Sequence, residues 1–150
     1  MAGGALLREF PDLPPIWALG AAVLAWGLAR VAPLAPLPAW PAAPLGLAGF
    51  GIVIWAALWF RRKRTPIEPR EAPRALIVEG PFRVNRNPIY SGMVLVLLGW
   101  GFYLGAASAL VPALAFLVVI DRRFVRAEEG ALRAGFGPEA ERYLAATRRW

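Results

Sequence analysis

The sequence predicts an all-α membrane protein with about four transmembrane helices, a short helical hairpin formed by the third and fourth spans, and a cytoplasmic C-terminal helix. Three observations carry this expectation. The chain has 150 residues and is 58% hydrophobic, more apolar than a soluble domain of that size usually is. No charged residue occurs from Val31 to Phe60 or from Pro88 to Ile120. The stretches that follow these runs are both net positive: eight Arg or Lys against Glu68, Glu71 and Glu79 over residues 61–87, and seven Arg against five acids over residues 121–150. Loops rich in Arg and Lys stay on the cytoplasmic side, so both stretches are expected there.

The expected spans are residues 16–32, 45–60, 88–104 and 106–120, with a cytoplasmic loop at 61–87 and a cytoplasmic tail at 121–150, all in one integral membrane domain. A signal-peptide core competes for Ile16 to Ala29, but the region before it is weakly charged, with Arg8 offset by Glu9 and Asp12. Between the first two spans, Pro33 to Pro44 carries five prolines, which cannot continue a helix and favour extended geometry. Trp40 in this external connector is expected at the interface. Arg61-Arg62-Lys63-Arg64 after the second span reads as a stop-transfer signal and an anchor for anionic headgroups. Thr65 to Ala75 reads as a Pro-rich surface link, and Leu76-Ile77-Val78 as an apolar stretch in the interface or on the floor of a pocket.

The run from Pro88 to Ile120 would make about 50 Å of helix, too long for one crossing of a ~30 Å hydrocarbon core and adequate for two short ones. A hairpin turning near Leu104 to Ser108 is the economical solution, which gives four spans with both termini inside and a multi-pass protein of the cell inner membrane. After it, a helix from Asp121 to Ala134 is expected to end at Gly135 and Gly137. A second begins at Pro138, with acids in its first turn and Arg148 and Arg149 in its last, capping it or binding headgroups. In the first of these helices, Glu129 and Arg133 are four apart and are expected to pair on the surface. Glu128, on the adjacent line with Leu132, is the better ligand candidate.

Cysteine and histidine are both absent, so thiol nucleophiles, the usual zinc sites and an imidazole base are excluded. The formal charge of +7 borders apolar spans, which favours topology and headgroup binding over nucleic acid. No metal site is expected, and the oligomeric state is open.

Gly80-Pro81-Phe82-Arg83, Arg86-Asn87-Pro88-Ile89-Tyr90-Ser91-Gly92, the apolar hairpin, Glu128-Glu129-x-x-Leu132, Phe136-Gly137 and Tyr143 through Arg148-Arg149-Trp150 together resemble the isoprenylcysteine carboxyl methyltransferase and phospholipid methyltransferase superfamily of integral membrane enzymes. The resemblance covers Leu76 to Trp150. It implies S-adenosylmethionine-dependent methyl transfer to a lipidic or membrane-partitioned acceptor, an isoprenylcysteine-type carboxylate, a thiol or a phospholipid amine. The cofactor would sit at the cytoplasmic face, between the loop before the third span and the helix after the fourth.

Carried onto this chain, the resemblance makes Glu79, Gly80, Pro81, Phe82, Arg86, Asn87, Tyr90, Glu128 and Glu129 cofactor-binding residues, and Arg86, Asn87 and Tyr90 the catalytic ones. The residue types suit a ligand with a zwitterionic amino-acid end, a sulfonium and an adenosine: Glu128 for the cationic end, Arg86, Asn87 and Tyr90 as donors, and backbone groups from Glu79 to Phe82 for the adenine. Many family members have His where this chain has Asn87, which hydrogen-bonds but does not titrate near neutral pH, so Asn87 is expected to act as a strut. Two other readings are an NADPH-dependent enzyme like the sterol reductases and a non-catalytic four-span scaffold. Titration with S-adenosylhomocysteine and with NADPH separates all three.

Overall fold

Pro14 and Pro15 open the first helix, where a missing N–H costs nothing, and the chain then runs as α1 to Val31. The computed structural model describes residues 12–150, so the N-terminal end, expected on the cytoplasmic side, lies outside the described residues. Helix α2 spans Ala42–Arg62. It begins three residues before the expected start, because Pro44 falls in its first turn and proline is tolerated there. Helix α3 spans Pro88–Leu104 and matches the expected third span. It stops at Gly105, whose left-handed backbone (φ 74°) closes the helix end with bonds to Gly101 and Phe102 carbonyls.

The fourth apolar segment is less simple than the hydropathy suggests. A 3-10 turn over Ala107–Leu110 leads into α4, Val111–Ile120, only 10 residues long. Instead of ending there, the helix passes through a π-turn at Asp121–Val125 into α5, Arg126–Ala146. The break expected near Gly135 to Pro138 is present inside α5 as a kink at Gly137 (φ 49°, ψ −125°), a backbone shape suited to glycine. No β-strand occurs among the described residues.

Glycine sets how closely α2 and α3 pack. A Cβ built on Gly92 would lie 2.7 Å from the Gly49 carbonyl oxygen, so the two backbones touch where no side chain intervenes. Helix α1 lies against α3 and α4, held by the Trp100 indole N–H donating to the Ala22 carbonyl at 3.0 Å. At the end away from the basic loop, the proline connector is fastened to the α3–α4 turn. Leu37 N donates to Gly105 O at 2.9 Å, and Ala107 N to Ala35 O at 3.0 Å.

Two apolar clusters result. One joins α1, α3 and α4 through Ala21, Leu97, Phe116, Ile120 and Phe124. The other docks α5 on α2 and the loop through Ala56, Ile77, Phe82, Tyr143 and Leu144, so the tail is a packed helix as expected. Helices α1 and α2, at 18 and 21 residues, are long enough to cross a ~30 Å core. Of their most apolar windows only 17% and 11% is buried, whereas a soluble core helix would be mostly covered. Leu19, Val23, Leu24, Leu47, Phe50 and Ile54 face outward, a belt of apolar surface that fits a bilayer.

Candidate active site at the α3 and α5 junction

The turn at Gly80–Arg83 and the start of α3 are tied to the C-terminal segment by hydrogen bonds that no local pattern specifies. The Tyr143 hydroxyl donates to the Phe82 carbonyl at 2.9 Å. Burial pushes that hydroxyl up to about 12, so it remains a donor at all ordinary pH values. Beyond α5 the chain turns back beside Asn85 to Asn87: Arg86 N donates to Arg148 O at 2.8 Å, and Asn87 Nδ2 donates to Arg149 O at 3.0 Å. Asn87 precedes α3 without capping it by its side chain. It is buried, and it works as the strut between α3 and the tail.

Two carboxylates enter the same region from α5. Each residue of α-helix turns the chain by roughly 100°, and a π-turn accommodates an extra residue, so the turn at Asp121–Val125 re-aims every side chain after it. Glu128 meets Tyr90, whose hydroxyl donates to Oε1 at 2.5 Å. Burial raises the Glu128 carboxyl above its ordinary range, opposed by this hydrogen bond. Glu129 is 5% exposed and takes a two-pronged contact from Arg149, with Nε and Nη2 at 2.9 and 2.7 Å. Its Oε1 also lies 3.6 Å from Arg86 Nη1. The surface pair with Arg133 is therefore not formed: Arg133 bonds Glu141 at 2.8 Å across the kink, while the returning tail supplies Arg149. Nor does Arg149 cap α5, which ends at Ala146.

Arg86 is the centre of this arrangement. Its Nη1 donates to the Leu144 carbonyl at 2.9 Å, and its Nε is buried with no protein partner. A buried unpaired donor is costly, and Arg86 Nε is such an atom at the edge of the site. Arg86, Asn87, Tyr90, Glu128 and Glu129 all line one cavity of about 450 Å³, in the size range of small-molecule sites. Its walls are otherwise chiefly apolar.

A family model described as phospholipid methyltransferase matches residues 39–139. The chain belongs to that family. An uncharacterized protein of Haemophilus influenzae is 36% identical over 62 residues, covering 41% of this chain and 98% of its own. No solved structure matches. The phospholipid methyltransferase match runs across the hairpin and both Glu128 and Glu129 of α5, and so covers most of the residues that line the cavity.

Within this family member, the expected site residues separate into two groups. Phe82 joins the five polar residues in the cavity wall, whereas Glu79, Gly80 and Pro81 do not line it. Glu79 is ion-paired with Lys63, whose ammonium holds the carboxyl below its ordinary range. Gly80 has a left-handed backbone (φ 58°) packed against the Trp59 ring. These residues shape the turn that presents Phe82. Conversely, the segment from Thr65 to Ala75, expected to be a surface link, forms much of one wall. Its three prolines signalled a loop, but nothing in a one-dimensional pattern says which surface a loop covers. Arg149, expected to cap the last helix or bind headgroups, does not line the cavity but holds Glu129, a partner remote in sequence.

Proposed function

We propose that this chain is an S-adenosylmethionine-dependent methyltransferase of the cell inner membrane, with four spans, cytoplasmic termini and a membrane-partitioned acceptor. The observation that carries the reading is one cavity whose lining brings Arg86, Glu128 and Glu129 together with a chiefly apolar wall, in a member of the phospholipid methyltransferase family. The donor set fits the cofactor. Glu128 offers a carboxylate to an ammonium, the Arg86 guanidinium offers positive charge to a carboxylate, and Phe82 offers an aromatic ring to an adenine. When bound, the cofactor supplies an electrophilic methyl group on a sulfonium.

The protein's own residues then position and enclose. Tyr90 holds the Glu128 carboxylate in place, Asn87 fixes the tail over the start of α3, and the apolar wall keeps water out. With neither histidine nor cysteine in the chain, no imidazole base or cysteinyl intermediate is available. The acceptor is an amphiphile whose reactive group is a carboxylate, a thiol or a phospholipid amine.

Titration of the detergent-solubilised protein decides the class. Saturable binding of S-adenosylhomocysteine without binding of NADPH is expected. Saturable binding of NADPH alone would replace this reading with a reductase, and binding of neither would leave a scaffold. Reporter fusions after Arg64 and Trp150 are expected to report the same, cytoplasmic side. Opposite sides would remove the α3–α4 hairpin from the membrane topology.

A further inference from the structure

The wall from Thr65 to Ala75 is attached to the rest of the protein in an unusual way. Among the described residues, no backbone hydrogen bond joins Pro66 to Ala75 to any other element; the one present, Glu71 N to Glu68 O at 3.4 Å, is internal. So is the bond from Arg74 N to Thr65 Oγ1 at 2.9 Å. The base of the segment is clasped by the Lys63–Glu79 ion pair just outside it. Arg64 and Arg70 have left-handed backbones (φ 50° and 75°), conformations that non-glycine residues adopt only under constraint. Pro66, Pro69 and Pro73 stiffen the stretch between, so it moves as a piece.

The ion pairing of its tip runs through one carboxylate. The Asp12 carboxylate is ion-paired with Arg70 of this segment. The same carboxylate accepts from Arg123 Nε of the π-turn at 2.8 and 2.9 Å and from the Trp17 indole of α1 at 2.8 Å. Arg70 in addition lies over the Phe124 ring, 5.6 Å from its centre. Asp12 thus joins three parts of the chain, the segment, α1 and the π-turn, at the cavity rim, where Leu13, Arg70 and Arg123 line the wall. The Arg70 and Arg123 side chains are 56% and 49% exposed, and ion pairs that exposed are weak and salt-sensitive. That suits a fastening that opens reversibly.

We propose that Thr65 to Ala75 is a strap that opens the cavity to the aqueous side, with Asp12 as its latch. The polar ligand enters and leaves under the strap, an assignment that rests on the proposed cofactor reading. The latch itself does not depend on that reading.

The test has two arms. In the ligand-free protein, trypsin cleavage after Arg70 and Arg74 is followed by mass spectrometry. Asp12→Ala is expected to speed both cuts about tenfold, and Asp12→Asn, which keeps an acceptor for Trp17, to act in the same direction. Cleavage of both variants at the wild-type rate would overturn the latch. For the second arm, the absence of native cysteine allows an Asp12→Cys, Arg70→Cys pair to be joined by a short cleavable bis-maleimide. The joined, empty protein is expected to bind S-adenosylhomocysteine at least about tenfold more slowly than the unjoined one, with the rate restored on cleavage of the linker. Binding at the unjoined rate would overturn the strap as the route of entry. If wild-type protein binds no S-adenosylhomocysteine at all, the cofactor reading and the entry route fail together, while the proteolysis arm still decides the latch.

Discussion

Glu129→Gln is expected to destabilise the protein by about 1 to 3 kcal/mol, because it removes the buried acid from an ion pair whose Arg149 side chain is 35% exposed and leaves the guanidinium groups without their shared partner. The carboxylate is 7% exposed and lies between Arg149, in two-pronged contact, and Arg86 at 3.6 Å. A neutral amide cannot separate two guanidinium groups in that setting. The pair also anchors the returning tail, so its loss frees the Arg148 and Arg149 carbonyls that Arg86 N and Asn87 Nδ2 hold. Thermal or denaturant unfolding in detergent measures the effect, and a double-mutant cycle with Arg149→Met isolates the pair. A loss below about 0.5 kcal/mol would mean that Glu129 behaves as an ordinary surface acid.

Glu128→Gln is expected to weaken S-adenosylhomocysteine binding by about 1.5 to 3 kcal/mol, roughly tenfold to a hundredfold, with little change in unfolding. The difference from Glu129 lies in the partners. Glu128 meets a neutral hydroxyl, Tyr90, and the open cavity, so the amide still accepts the Tyr90 hydrogen bond and leaves no charge stranded. The loss falls on a cationic ligand group alone. Wild-type affinity in the variant would reassign Glu128 to a purely structural role.

The pH dependence of this binding follows from burial. Because burial raises the Glu128 carboxyl above its ordinary range, the folded protein keeps that proton to a higher pH than the unfolded chain does. Its contribution to stability in the ligand-free protein is complete below the ordinary carboxylate range and is lost as pH rises through the raised value. Binding of an ammonium group runs the other way, since only the ionised carboxylate attracts it: affinity rises with pH across the same window. In Glu128→Gln that rise should vanish.

Much of this was legible in the chain because the relevant physics is local. The two charge-free runs marked the second, third and fourth apolar segments, and prolines and glycines marked most helix ends and the kink at Gly137. The grouping of Arg86, Asn87, Tyr90 and Glu128 came from a resemblance of motifs, and the structure brings those residues to one cavity. Local spacing misleads where a nearer partner lies along the same helix. Glu129 and Arg133 are correctly spaced for a helical surface pair, yet Glu129 is buried and paired with a residue beyond the end of α5.

The sequence by itself determined the helical class, the outward apolar belt and the order of the segments, since hydropathy and backbone punctuation act over a few residues at a time. Only the tertiary structure decided that Glu129, which lines the cavity beside Glu128, is buried and locked to Arg149, and that the Pro-rich link is a wall. Those outcomes depend on the π-turn that re-aims α5 and on a tail that folds back beside Asn85 to Asn87. A long-range ion pair is selected by which charges are desolvated together, and no periodicity along the chain encodes that.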